Sequence, residues 1–237
     1  MTLSLLRSDL ALPAFLALIL LPSQGQSQNV VVDEGAFRIL LQGEIVGREE
    51  FSIRRLGVGT DARVILRGSV ELDLPGGRSN LAPAMELSGG DLSPAAYQLK
   101  VTGTRTEEVY VSRSGRRFLA KSLSPEGEQV REYRAGPGSI LLDPYVAHQY
   151  HQLVPFLSRD SDTSLTVLSP RTGEQIRMTL RRVGEEEVRV GTDLILGSHL
   201  RLEGEGSARD IWFDDRGRIL RVAIPGQGYV AERESLG

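Results

Sequence analysis

The chain has 237 residues, 40% hydrophobic and 25% charged, with a formal net charge of −3 and no cysteine. This is the balance of an ordinary globular protein, and it leaves no electrostatic footprint for nucleic acid. Without cysteine, disulfides, thiolate chemistry and the lipid-modified cysteine of a bacterial lipoprotein are all excluded.

The first element in chain order is an apolar run, Leu10 to Leu21, followed by Pro22, Ser23, Gly25 and Ser27. A membrane-spanning helix needs roughly 20 apolar residues, and this run is about half that length. The small residues after it suit signal peptidase, so residues 1–27 read as a cleavable signal peptide. Its n-region is thin, with Arg7 offset by Asp9. About 210 residues remain, which suits a single antiparallel β domain over 28–237 that can bury a core without metals or cross-links. An exported chain of this length without disulfides points to the periplasm or to secretion, and the short run argues against a transmembrane protein.

Period-2 alternation dominates the mature chain. Phe37, Ile39 and Leu41 begin it, and Val64, Leu66, Val70, Leu72 and Leu74 alternate with Arg63, Arg67, Ser69, Glu71 and Asp73. Leu99, Val101, Val109 and Val111 continue the theme, and Ile176, Met178 and Leu180 alternate with Arg177, Thr179 and Arg181. Such rows place one strand face on a core and the other in water. Turn signals fall between them, among them Gly43, Gly47, Pro75-Gly76-Gly77, Ser114-Gly115, Pro125-Glu126-Gly127, Gly173 and Asp215-Arg216-Gly217. Their spacing describes a meander of antiparallel strands, with no βαβ rhythm.

One segment breaks the pattern. Asp143 suits a helix N-cap, Pro144 the first helical position, and Val146, Ala147, Tyr150, Leu153, Val154 and Leu157 recur at helical spacing. Pro155 should end or kink this helix. The fold class is therefore mainly β: a large curved antiparallel sheet or incomplete barrel, with one short central helix over about 143–157 plugging its concave side.

Chemistry-bearing residues cluster on that helix. Tyr145, His148, Tyr150, His151 and Leu153 are the candidate ligand-binding residues, because an apolar site with a few convergent polar groups is the usual form of a small-molecule pocket. His148 and His151, three apart, could instead present two imidazoles to one metal or act as acid and base, with His199 as a third ligand only through tertiary contact. No H-E-x-x-H, nucleophile elbow, Walker loop or dinucleotide fingerprint is present, so no cofactor is implied. Asp214-Asp215-Arg216-Gly217 reads as a hairpin turn; it lacks the span and distal Glu of a calcium loop.

The leader, the Gly35-Ala36-Phe37-Arg38-Ile39-Leu40 strand with its Gly43-to-Gly47 turn, the Leu142-Asp143-Pro144 helix start and the closing Trp212-to-Pro225 hairpin together resemble exported bacterial proteins of unknown function in which a long sheet curls around a helix. The architecture is similar to the lipoprotein-localisation carriers, whose unclosed barrel holds acyl chains. The resemblance implies a periplasmic binding or carrier module for an apolar or lipid-like ligand, and it transfers no functional residue. Two alternatives stay open: an envelope module whose partner is another protein, and an enzyme using His148 and His151.

Overall fold

A computed structural model describes residues 29–236; the apolar run and the signal-peptide segment 1–27 lie outside the described residues. The strands are β1 (Asn29–Leu41), β2 (Glu44–Leu56), β3 (Arg63–Leu74), β4 (Gly77–Ser88), β5 (Ser93–Gly103), β6 (Glu107–Ser114), β7 (Arg117–Ser124) and β8 (Gly127–Arg134). They continue as β9 (Ser139–Leu141), β10 (Thr163–Ser169), β11 (Glu174–Val190), β12 (Asp193–Gly204), β13 (Arg209–Phe213), β14 (Ile219–Ile224) and β15 (Tyr229–Arg233).

All belong to a 15-stranded sheet in the order β8-β7-β6-β5-β4-β3-β2-β1-β15-β14-β13-β12-β11-β10-β9. Strands β1 to β8 meander outward from the middle, β9 to β15 meander inward from the other edge, and β15 pairs with β1. Neighbours are antiparallel except β9 and β10. The two edges, β8 and β9, are joined by residues 135–138 alone. A chain reaches at most about 3.6 Å per residue, so this link holds the edges within roughly 18 Å of each other. The sheet must therefore curl almost into a barrel, and Gln175 Nε2 donates to the Arg134 carbonyl across the gap at 2.8 Å.

Alternation decides which side chains face inward. In β3, Val64, Leu66, Val70 and Leu72 are buried while Arg67 and Glu71 are exposed, as the sequence predicts. Leu72→Ala should cost about 3 kcal/mol, within the range for a buried leucine, and Glu71→Ala less than about 0.5 kcal/mol. Urea titrations of the two variants check this, and equal effects would break the link between alternation and burial.

Tight turns fall where the sequence places them, at Pro75-Gly76 and Pro125-Glu126. The first hairpin turns at Gln42 and Gly43, both at positive φ, which is the two-residue turn that matches strand twist. Gly47 is not part of that turn: it lies inside β2, opposite Leu72.

The central helix is present but tighter and shorter than its periodicity suggests. It is a 3-10 helix over His148–Phe156, with Pro155 inside its last turn. Asp143 does not cap it. That carboxylate accepts from Tyr97 Oη on β5 at 2.8 Å, Ser169 Oγ at 3.2 Å and the Arg171 amide at 3.0 Å. Glu49 of β2 takes the capping role from 98 residues away, accepting the Ala147 amide at 2.7 Å. His148 to Leu153 are all buried, so the helix fills the concave side of the sheet and joins the main core.

A smaller core lies on the outer face. Beyond the register shift at Arg182/Gly184 the β11–β12 hairpin runs past the sheet and packs back on it, joining Val188 and Val190 to Trp212, Leu220 and Ala223.

Candidate functional site

The interior polar cluster is built around Glu49 and His148. Both are fully buried, and the Glu49 carboxylate accepts from the Ala147 amide, the His148 amide at 3.3 Å and His148 Nδ1. The imidazole lies parallel to the Phe51 ring, which in turn stacks on Phe37 at 5.0 Å. Room for it comes from Gly68, on β3 opposite Phe51: a Cβ there would fall 2.6 Å from His148 Cε1.

The other predicted site residues surround this pair. Tyr145, at a left-handed φ of 66°, sets its half-buried ring edge-on to Tyr229 at 5.8 Å. Burial pushes the Tyr150 phenol up to about 12, against the opposing influence of Arg209. Leu153 has no exposed surface. Gln152 is bonded at both ends to the Leu141 backbone, and Gln149 Oε1 accepts the Asp143 amide at 2.7 Å. The helix and the turn before it thus bring all five predicted residues into one neighbourhood, within a packed core. Four buried polar atoms there have no partner among the described residues: His148 Nε2, Gln149 Nε2, His151 Nδ1 and Tyr229 Oη.

His151 carries a pH prediction. Burial, with His148 and Arg55 nearby, pushes its imidazole from 6.5 down to about 4. Between those values the unfolded chain binds the extra proton, so stability is complete above about pH 6.5 and falls as pH drops towards 4, by about 3 kcal/mol in all. His151→Gln should flatten that part of the profile relative to the parent chain in urea titrations at about pH 7 and about pH 4. Identical slopes for the two proteins would show that His151 is not held neutral.

His199 does not join the other two histidines. It sits on the outer face, with Nδ1 2.9 Å from Glu186 Oε1, Nε2 2.9 Å from Asp210 Oδ1 and its ring stacked on Trp212 at 4.4 Å. The sheet separates it from His148 and His151, so the three histidines do not form one metal site, and no group of metal-ligating side chains occurs among the described residues. Asp214 behaves as the turn residue its sequence suggests, accepting from the amides of Arg216 and Arg218.

With the helix packed into the concave side, an apolar hollow appears on the opposite face. A trough of about 510 Å³ crosses the outer surface of β3 to β7. Its floor is low because Ala84 and Ala96 occupy outward positions on β4 and β5, between Ile65 on β3 and Leu119 on β7. Leu119 is 44% exposed and adds an apolar side chain to the lining of the trough. Arg67 borders the trough and also a second hollow of about 390 Å³ that contains Arg54 and Ser52. Arg54 pairs with Ile65 and Ser52 with Arg67 across β2 and β3, so the two arginines are diagonal neighbours, about 7–8 Å apart at Cα. Neither guanidinium has an ion-pair partner among the described residues. Sequence reasoning missed this trough. Its only trace is a pair of alanines at outward positions where neighbouring strands carry larger side chains.

Comparison with protein-family models and with curated proteins finds no match. The chain is similar to a solved structure, a beta-barrel-like protein of domain of unknown function DUF1849 from Brucella abortus. The two share 7% identity at a TM-score of 0.49, over 85% of this chain and 94% of that one. Among the described residues no helix is long and apolar enough to cross a membrane.

Proposed function

We propose that this chain is an exported, periplasmic, non-catalytic binding module for an anionic amphiphile. The apolar chain of the ligand lies in the outer trough over Ala84 and Ala96, and its anionic head sits between Arg54 and Arg67. The supporting observation is the juxtaposition of two unpartnered guanidinia with an apolar hollow. A hollow of about 510 Å³ falls within the usual range for small-molecule sites. Each methylene buried in it contributes about 0.8 kcal/mol, and guanidinium is well suited to bidentate recognition of carboxylate or phosphate. The lipid-like ligand suggested by the sequence is retained; its seat moves from the concave to the convex side.

Displacement of a dansyl-labelled undecanoate tests the reading. Dodecanoate should compete at least ten-fold better than dodecanol, which has the same chain without the charge. Ala96→Trp, which fills the floor, and the double change Arg54→Glu with Arg67→Glu should each weaken dodecanoate at least ten-fold, with the circular dichroism spectrum unchanged. Equal competition by dodecanol, or full binding by both variants, would reject the proposal.

A further inference from the structure

A second hollow, about 150 Å³, lies on the inner side of the seam where the sheet fails to close, between β6 to β8 and the turn at Pro170–Gly173. Its chemistry is the reverse of the outer trough. Glu107 enters it from β6, on the inward row, opposite the buried Val101. This carboxylate is 8% exposed and has no hydrogen-bond or ion-pair partner among the described residues. An unpaired buried carboxylate is expensive, and buried charges in native proteins are normally paired.

Three guanidinia line the same hollow, from Arg105, Arg131 and Arg171, yet none forms an ion pair with Glu107. Two of them are anchored elsewhere. Arg131 Nη2 donates to Gln129 Oε1 at 3.1 Å, and Arg171 Nη2 to the Pro144 carbonyl at 2.9 Å. The turn also seats Arg131: a Cβ on Gly173, whose φ is +71°, would fall 2.6 Å from Arg131 Nη1 and 2.8 Å from Tyr133 Oη. The hydroxyls of Ser122 and Ser124 complete the lining. The hollow therefore holds one buried carboxylate, Glu107, beside two guanidinia anchored on other groups, the exposed Arg105, and Lys121, which pairs with Glu128; none of them neutralises Glu107.

We infer that this seam pocket binds a small zwitterion, a molecule with a primary ammonium and an anionic group a few bonds apart. The ammonium pairs with Glu107, and the anionic group lies on Arg131 and Arg105. Free amino acids have this chemistry, and so does the ethanolamine phosphate head of a phospholipid. The pocket is on the face opposite the outer trough, so this inference stands or falls separately from the amphiphile proposal.

Isothermal titration calorimetry on the purified protein distinguishes the outcomes. Glycine, glutamate and O-phosphoethanolamine serve as the zwitterions, and acetate and methylammonium as single-charge controls. At least one zwitterion should bind ten-fold or more tightly than either control. Preference for glycine or glutamate identifies a free amino acid, and preference for O-phosphoethanolamine identifies a headgroup. Glu107→Gln should lose at least ten-fold of that affinity while its unliganded thermal midpoint stays level or rises, because it removes an unpaired buried charge. Arg131→Gln provides an independent variant with the same expected loss. Binding of acetate or methylammonium as tight as that of every zwitterion, no zwitterion binding at all, or undiminished binding by folded Glu107→Gln or Arg131→Gln would each overturn the inference.

Discussion

Replacing Arg233 with methionine should cost the fold about 3–5 kcal/mol. Arg233 closes the β1–β15 seam that joins the two halves of the sheet. Its side chain is fully buried, and all of its guanidinium hydrogens are used. It grips Asp33 with Nη1 at 2.8 Å and Nη2 at 2.6 Å, and donates to the carbonyls of Ile219 at 3.2 Å, Glu34 at 2.8 Å and Ser235 at 2.9 Å. The guanidinium also lies 5.3 Å over the Phe51 ring. Methionine would leave the Asp33 carboxylate buried and alone, which is what makes single removal costly. Adding Asp33→Leu to the same chain should recover most of the loss, since replacing a whole buried ion pair by apolar groups is often neutral. Urea titration of the two single variants and the double variant measures this. A double variant no better than Arg233→Met would mean that the carbonyl bonds, rather than the ion pair, hold the seam.

Glu49→Ala should be about as damaging, at roughly 3–6 kcal/mol, because it strips acceptors from two buried amides and from the His148 ring together. The loss falls on the start of the 3-10 helix, so the plug should loosen before the sheet does. Amide hydrogen exchange reports this directly: protection at residues 147–153 should fall far more than protection in β3 and β4. Glu49→Gln, which keeps a carbonyl acceptor, should be the milder change. Uniform loss of protection across the sheet would contradict a capping role for Glu49.

Local pattern made the sheet legible. The inward rows of β3 and the turns at Pro75 and Pro125 depend on neighbours in sequence, and both are legible there. What depends on distant partners was not. Asp143 looks like an N-cap in its own segment, but Tyr97, Ser169 and Arg171 claim its carboxylate, and Glu49 caps the helix instead. Glu49 sits beside Glu50, and nothing in that dipeptide says which one faces the core. Asp33 and Arg233 are 200 residues apart and are polar members of otherwise apolar rows. A trace of the helix site did exist in the sequence: Gly68 interrupts the inward row of β3 between Leu66 and Val70, where the structure seats His148. The outer trough needed the register of five strands, which no single segment contains.

The central proposal is that the amphiphile's seat is on the outer face, because the helix packs into the inner one. Paramagnetic broadening by a stearate carrying a nitroxide on its chain tests it most directly, read from amide and methyl signals of the isotopically labelled protein. The account predicts broadening at Ile65, Ala84, Ala96 and Leu119, with Tyr150 and Leu153 unaffected. Broadening centred on Tyr150 and Leu153, with the outer residues left sharp, would place the ligand beside the helix and contradict it.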